Sequence, residues 1–264
     1  MKRSASHSTV LECSSDDEVV ASSSEGGRLP DAYIEMFSPP RVVPVVREHG
    51  RKADLSVDMS RLGCSSCRSY DLTRSGDRYA VLEEIRYRMP RVIGLSPPCT
   101  MYSKMQNMND GKVCPVEHEQ KMIEAHVLLD FAMVIAKVQI DSGRKFFFEH
   151  PQGASSWVRE TVADVARKDG VTKAVFHQCR FGLKAPNGEP MKKATVFMTN
   201  STFIQNKFNG ATCQCECKHR PILGRCNSIK MSPFSAIYPA ELCEAIADCV
   251  DAEVDAADRI VTVE

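Results

Sequence analysis

A cysteine follows a short strand-like segment and two prolines, in the stretch Val92 to Thr100. Proline neither donates to a sheet ladder nor extends a strand, so the chain must turn at Pro97 and deliver Cys99 at the end of a strand. Ligands of open α/β sheets bind beyond the carboxyl ends of the strands, so a thiol there is a candidate nucleophile. The alternative is that Cys99 is a buried cysteine that acts only as a small hydrophobic side chain.

The elements that position Cys99 alternate between strand-like and helix-like patterns. Apolar residues recur at helical spacing from about 115 to 141, which predicts the clearest amphipathic helix in the chain. Strands are predicted at 32–37, 53–59, 92–95, 145–149, 174–179 and 194–199, with an edge element at 69–72. Further helices are predicted at 42–47, at 79–87 and from Pro239. Another is predicted to begin after Ser155 or Ser156, with Val158, Val162 and Val165 on one face. This alternation predicts an α/β fold with a doubly wound sheet that ends in a β-hairpin.

Composition predicts one folded domain. The 264 residues carry a formal net charge of +0, so no global basic field points to nucleic acid. Residues 1–29 are rich in Ser and acidic residues and are predicted to be a disordered tail, followed by a domain at 30–252 and a C-terminal tail at 253–264. The twelve cysteines come without an apolar signal segment after Met1. They predict reduced thiols and an intracellular location, with nucleus or cytoplasm left open, and no apolar run has membrane-spanning length.

Four short segments, taken in order, resemble the DNA (cytosine-5) methyltransferases. Ser96-Pro97-Pro98-Cys99 is similar to the nucleophile loop of that family, and Phe148-Glu149-His150-Pro151 is similar to its Glu-Asn motif, with His in place of Asn. Gln178-Cys179-Arg180 resembles the start of its Gln-x-Arg-x-Arg segment, although Gly182 replaces the second arginine, and residues 238–247 resemble its terminal helix. The pattern also resembles methyltransferase-like proteins of phages and mobile elements. The resemblance implies a Rossmann-like methyltransferase fold, S-adenosylmethionine as cofactor and nucleic acid as partner, DNA before RNA.

The resemblance also implies a role for each catalytic candidate. Carbon-5 of cytosine is not nucleophilic, so Cys99 would first add at carbon-6 while Glu149 stabilises a proton on nitrogen-3. Arg180 would hold the carbonyl oxygen of the base, with Gln178 in support. The alternatives are a surface carboxylate at a strand end for Glu149 and a solvated hairpin charge for Arg180. Attack on the base requires a flipped nucleotide or a single strand.

The candidate cofactor residues follow the first two strands and the nucleophile strand. They are Phe37 to stack on adenine, Asp58 for the ribose hydroxyls, Asp71 near the adenine amine, and Ser38 and Pro97 as flanking contacts. The family carries Phe-x-Gly-x-Gly after its first strand, where glycine lets the backbone approach the ligand. Here Pro39 and Pro40 follow Ser38, which indicates either an altered loop or lost cofactor binding.

A short cysteine-rich segment at 201–237 stands where a target-recognition domain would be expected. It is shorter than the roughly 50 residues of an independent domain, which predicts slight sequence selectivity. It contains Cys213, Cys215, Cys217, His219 and Cys226 among basic side chains. This is either a crowded zinc pattern or a cysteine-rich loop with a basic face, and no metal is assigned from the sequence.

Other readings of the nucleophile loop are less consistent with the residues. Amino-methyltransferases place an aromatic residue where Cys99 stands, and a phosphatase-type loop needs an arginine where Met105 stands. A different class is a catalytically inactive methyltransferase-like fold that binds nucleic acid or a protein through the cysteine-rich segment. The two prolines of the cofactor loop favour that class, whereas Cys99, Glu149 and the Gln178-x-Arg180 pair oppose it. Cofactor binding separates the two. The oligomeric state stays open.

Overall fold

The computed structural model describes residues 30–57, 70–103 and 114–261. Within them a six-stranded mixed sheet forms the centre of an α/β fold, as the alternation predicted. Its strands are β1 (Tyr33–Met36), β2 (Leu55–Val57), β3 (Val92–Leu95), β4 (Lys145–Pro151), β5 (Thr172–His177) and β6 (Ala194–Thr199). A separate pair, β7 (Arg225–Cys226) and β8 (Ile229–Lys230), forms a small antiparallel ribbon.

The strand order is β2-β1-β3-β4-β6-β5. The strands β1 to β4 are parallel, and β6 lies antiparallel between β4 and β5, so the predicted terminal hairpin is confirmed. Met36 pairs with Leu95, and Leu95 pairs with Phe148. The next residue of each strand, Phe37, Ser96 and Glu149, therefore reaches the same edge of the sheet.

Helices cover both faces of the sheet. They are α1 (Val42–Glu48), α2 (Ser75–Arg88), α3 (Pro115–Asp141), α4 (Glu160–Ala166), α5 (Thr202–Phe208), α6 (Met231–Phe234) and α7 (Ala240–Val261). One apolar core gathers residues of α2, α3 and α4, and a second gathers residues of α1, α5 and α7. The predicted helix at 115–141 is confirmed in α3. In the described part of the chain, no helix is long and apolar enough to cross a bilayer.

The structure corrects three predicted elements. No strand forms at the described part of 69–72, because Asp71 accepts hydrogen bonds from Thr73 in a turn that leads into α2. Helix α4 begins at Glu160 without a serine cap, and Val158 is 85% exposed rather than on its inner face. Helix α7 continues past residue 252 to Val261, because Val254 still packs on the core and Arg51 pairs with Asp255.

Gly94 allows close packing at the centre of the sheet. It lies in β3 opposite Glu35 of β1 and Phe147 of β4. The rings of Tyr33 and Phe147 are stacked, with centroids 6.3 Å apart. A Cβ at Gly94 would overlap the Tyr33 hydroxyl and lie 2.6 Å from Phe147 Cζ. No larger residue fits without moving this aromatic pair.

We expect Gly94→Ala to lower the free energy of unfolding by about 1–3 kcal/mol, because overpacking forces side chains and backbone to shift. The control is Gly76→Ala in α2, where an added Cβ meets nothing within 4 Å. There the free energy should be unchanged or rise by up to about 1 kcal/mol. Urea unfolding measures both variants, and equal stabilities would contradict the packing role of Gly94.

Candidate active site

Cys99 lines a cleft at the carboxyl edge of the sheet, where the sequence predicted it. The cleft has a volume of about 200 Å³, and its lining includes Phe37, Arg41, Pro97, Cys99, Glu149, Lys193 and Tyr238. Pockets that enclose drug-sized ligands have volumes of roughly 300–1,000 Å³. This cleft therefore suits one planar ring rather than a whole nucleoside cofactor.

Glu149 and Lys193 form a buried ion pair in this cleft. Lys193 Nζ lies 3.6 Å from Glu149 Oε1, and both side chains are about nine-tenths buried. Glu149 Oε1 is buried and has no hydrogen-bond partner among the described residues, because 3.6 Å is too long for a hydrogen bond. An unsatisfied buried oxygen is unfavourable and can be satisfied by a ligand that donates a hydrogen bond.

The environment of Cys99 favours its neutral thiol. Burial raises the pKa of Cys99, and the Glu149 carboxylate raises it further, whereas the Lys193 ammonium lowers it. A thiolate on Cys99 is therefore favoured once the negative charge on Glu149 is neutralised. This electrostatic repulsion couples the two groups, because protonation of Glu149 makes the nucleophilic thiolate form of Cys99 more favourable.

His150 supports the turn that carries Cys99. It is fully buried, with Nε2 3.2 Å from the Pro97 carbonyl oxygen and Nδ1 2.6 Å from Ser156 Oγ. Since the Pro97 carbonyl can only accept, Nε2 carries the proton and Nδ1 accepts from the Ser156 hydroxyl. Burial lowers the pKa of His150 to about 4, so the ring is neutral at pH 7. Its role is to position the turn.

Arg41 and Tyr238 close the other side of the cleft. The Tyr238 hydroxyl lies 2.9 Å from Ser96 Oγ, which links the end of β3 to the segment before α7. The Arg41 guanidinium lies 5.3 Å from the centre of the Tyr238 ring, and Nη1 donates to the Ala236 carbonyl at 2.6 Å. A cation over an aromatic face is attracted by the ring. These contacts join the loop after β1, the end of β3 and the segment before α7 around the cleft.

A buried carboxylate holds the loop that follows β1. Glu35 accepts hydrogen bonds from the backbone N–H groups of Arg41, Val42 and Val43 and from the Ser38 hydroxyl. Burial raises the pKa of Glu35 despite these bonds. The amides at the start of α1 are therefore already satisfied. Ser38 is buried against Glu35 and does not line the cleft.

Phe37 lies at the cleft in a strained backbone conformation. Its φ angle is 62°, a left-handed value that costs a residue other than glycine about 1–3 kcal/mol. The ring packs edge-on against Phe131, with centroids 6.4 Å apart. Such strain is concentrated at functional sites and is held by the surrounding structure.

The remaining cofactor candidates lie apart from the cleft. Asp58 falls outside the described residues. Asp71 does not line the cleft; Thr73 donates to it through its N–H and its hydroxyl, and these hydrogen bonds lower the pKa of Asp71. Of the predicted cofactor residues, the structure places Phe37 and Pro97 with Cys99.

Gln178 and Arg180 lie in a short 3-10 helix, Gln178–Phe181, and neither lines the cleft. Gln178 is buried; its Nε2 donates to Thr195 Oγ1 and its backbone N–H donates to the Lys193 carbonyl. Arg180 is exposed. Gly182 has a φ of 85°, a left-handed value that strains any other residue, and a Cβ there would require the Glu241 side chain to move, so glycine is favoured over arginine at this position.

The sequence reasoning missed Arg41, Lys193 and Tyr238. Lys193 precedes β6, and an antiparallel strand begins at the edge where its parallel neighbours end. That rule would have placed Lys193 beside Glu149. Tyr238 stands immediately before Pro239 in a segment already expected near the site, whereas no local pattern marks Arg41.

The chain matches no protein-family model and no curated protein. The geometry of the cleft therefore carries the functional argument.

We expect the His150 pKa to make stability depend on pH. The folded-state value, about 4, lies below the ordinary value of 6.5, so folding favours the neutral ring. The contribution of His150 to the free energy of unfolding is fully present above about pH 6.5. It is lost as pH falls toward 4, and the total loss is about 3 kcal/mol. His150→Gln should flatten the decline in unfolding free energy over that interval.

The control is His118→Gln, near the start of α3 and outside the cleft lining, which should keep the decline of the native chain. Urea unfolding at a series of pH values gives the three profiles. If His150→Gln and the native chain decline in parallel, His150 is not the buried neutral group described here.

Proposed function

We propose that this protein transfers a methyl group to carbon-5 of cytosine in nucleic acid, with Cys99 as a covalent nucleophile. The observation that carries the proposal is that Cys99, Glu149 and Lys193 line one cleft of single-ring size at the carboxyl edge of the sheet. These are a nucleophile, an acid and a cation, the groups that addition to a cytosine ring requires. The mostly parallel sheet and its terminal hairpin support a Rossmann-like methyltransferase fold.

The residues of the cleft act in a defined order. The Cys99 thiol gives its proton to the Glu149 carboxylate, its sulfur bonds to carbon-6, and the proton passes on from Glu149 to nitrogen-3, so that electron density collects at carbon-5. While Glu149 holds that proton, the repulsion that disfavours the Cys99 thiolate is removed. After carbon-5 is methylated, a base removes the carbon-5 proton, and the electron pair expels Cys99. The Lys193 ammonium stabilises the negative charge that develops both when Cys99 adds to the ring and when it leaves.

Lys193, rather than Arg180, supplies the cation in this mechanism. Lys193 Nζ is buried beside Glu149 and also donates to the Ser235 carbonyl at 3.3 Å. Gln178 supports it indirectly, because its N–H donates to the Lys193 carbonyl. The role of Arg180 in orienting the base stays a prediction, and paired variants separate it from that of Lys193.

S-adenosylmethionine, when bound, supplies the methyl group. The residues that fit it are Phe37, which lines the cleft and has a strained backbone conformation, and Pro97. The amides at the start of α1 are taken by Glu35, so the loop offers an aromatic surface rather than free backbone donors. The nucleic acid must present its base outside a stacked duplex, because the cleft encloses a single ring.

The second candidate is a catalytically inactive fold that binds nucleic acid or a protein. One observation favours it: the loop after β1 has two prolines where glycine would let a cofactor approach, and its Ser38 hydroxyl and Arg41 N–H are bound by the Glu35 carboxylate. Cofactor binding separates the two candidates.

We expect calorimetric titration with S-adenosylmethionine to show binding, and Phe37→Ala to weaken it by about tenfold through lost aromatic contact. Phe203→Ala is the matched control, because Phe203 is a partly exposed residue of α5 outside the cleft lining. It should bind like the native chain. Absence of binding at millimolar cofactor would favour the inactive fold.

We expect methyl transfer from labelled S-adenosylmethionine to cytosine-containing single- and double-stranded DNA and RNA, with DNA preferred. Cys99→Ser should fall to background, Glu149→Gln should lose about 10²–10⁴-fold, and Lys193→Met should lose about 10²–10³-fold. The paired variant Arg180→Met should retain most activity, because Arg180 is exposed outside the cleft lining. Transfer that survives Cys99→Ser would contradict the covalent mechanism, and a larger loss in Arg180→Met than in Lys193→Met would reverse the assignment of the cation.

A further inference from the structure

Cysteine and histidine side chains from two distant parts of the chain meet outside the cleft. Cys179 lies in the short helix after β5, and the others lie in the segment after α5. The ligand atoms of Cys179, Cys213 and His219 all lie within 4.8 Å of one another, as do those of Cys215, Cys217 and His219. His219 is common to both groups, so they form one cluster.

The distances among Cys213, Cys215 and His219 are compatible with three ligands of a tetrahedral metal site, and Cys179 lies within 4.8 Å of Cys213 and His219. His219 Nε2 lies 3.4 Å from Cys213 Sγ and 3.8 Å from Cys215 Sγ, and the two sulfurs are 3.2 Å apart. Zinc bonds of about 2.3 Å to sulfur and 2.0 Å to nitrogen place tetrahedral ligands roughly 3.5–3.8 Å from one another. Both sulfur–nitrogen separations fall close to this range, and a bound ion would spread the two sulfurs slightly.

The folded domain holds both ends of the segment. The Cys213 N–H donates to His177 Nδ1 at 2.9 Å, and Gly210 donates to the Val175 carbonyl of β5. At the other end, the Arg220 N–H donates to the Pro190 carbonyl at 2.8 Å. The residues between, 213–219, form neither helix nor strand, and those at 214–218 are exposed. Such a segment lacks an apolar core of its own, and a metal ion would stabilise it.

We propose that Cys179, Cys213, Cys215 and His219 bind one zinc ion in the reduced protein. Three thiolates and one imidazole form a common structural zinc set. Cys226, which the sequence grouped with these residues, is instead buried in an apolar cluster with Met191 and Met231. Cys179, far upstream in the chain, takes its place because the hairpin brings the end of β5 to this segment.

Cys215 and Cys217 are joined by a disulfide in the structure, whereas zinc takes thiolates. The site therefore belongs to the chain with that bond reduced. A phosphine in the buffer supplies the two electrons and becomes the phosphine oxide with oxygen from water, and the two protons of that water go to the thiols. Cys215 is the ligand because its sulfur lies close to both Cys213 and His219.

The zinc site would tie the segment to the turn that contains Gln178 and Arg180. It lies outside the lining of the Cys99 cleft, so the proposal does not depend on methyl transfer.

The test is the metal content of the full chain, purified with a phosphine reductant and measured by plasma mass spectrometry. We expect about one zinc ion per chain. Cys179→Ser, Cys213→Ser and Cys215→Ser should each lower zinc content at least tenfold after dialysis against a weak chelator. The controls Cys217→Ser and Cys114→Ser should keep it, because Cys217 is the spare thiol and Cys114 is an exposed free cysteine outside the cluster.

Cobalt substitution tests the native chain alone, so the result does not depend on variants that fail to fold. Tetrahedral cobalt with thiolate ligands should give intense visible bands and a near-ultraviolet charge-transfer band, and zinc should displace it. Absence of zinc and of these bands would overturn the proposal. Loss of zinc in Cys217→Ser with retention in Cys215→Ser would overturn the assignment of the fourth ligand.

Discussion

The close packing of β1, β3 and β4 around Gly94 is the constraint on which the site depends. The stacked rings of Tyr33 and Phe147 leave no room for a Cβ on β3, so the three strands stay in one register. A slip by one residue would turn every side chain of the strand to the opposite face of the sheet. The register is what places Phe37, Ser96 and Glu149 side by side, and the turn after Ser96 then brings Cys99 over them.

Buried charges make that edge chemically distinctive. Glu149 and Lys193 form an ion pair that leaves one carboxylate oxygen without a hydrogen bond. Glu149 raises the pKa of the Cys99 thiol, whereas Lys193 lowers it. A neutral His150 fixes the turn without adding a charge. A cysteine with a shifted pKa beside a buried ion pair in a cleft is typical of active sites. In the proposed mechanism, the same groups couple a proton on the base to attack by the thiol.

Local patterns predicted the elements well and the partners less well. The apolar spacing of 115–141 gave helix α3, and the two prolines after Ser96 located Cys99 at a strand end. The sequence did not predict that Lys193 pairs with Glu149, because Glu149 lies in a different strand. It did not place Cys179 beside Cys213 and His219, because those residues lie in a distant segment. The exposure of Val158 and the C-terminal end of α7 depend on tertiary packing, which the pattern of a few neighbouring residues does not reveal. Glu35 was missed as the cap of α1 because it lies inside a strand.

The most direct test of the account is the intact mass of the protein after incubation with S-adenosylmethionine and an oligonucleotide containing 5-fluorocytosine. Fluorine at carbon-5 cannot leave as a proton does, so the covalent adduct persists. The account predicts a species with the mass of protein plus methylated oligonucleotide, which peptide mapping assigns to Cys99 and which Cys99→Ser lacks. An adduct on another cysteine, or methylation of ordinary cytosine with no trapped species, would contradict it.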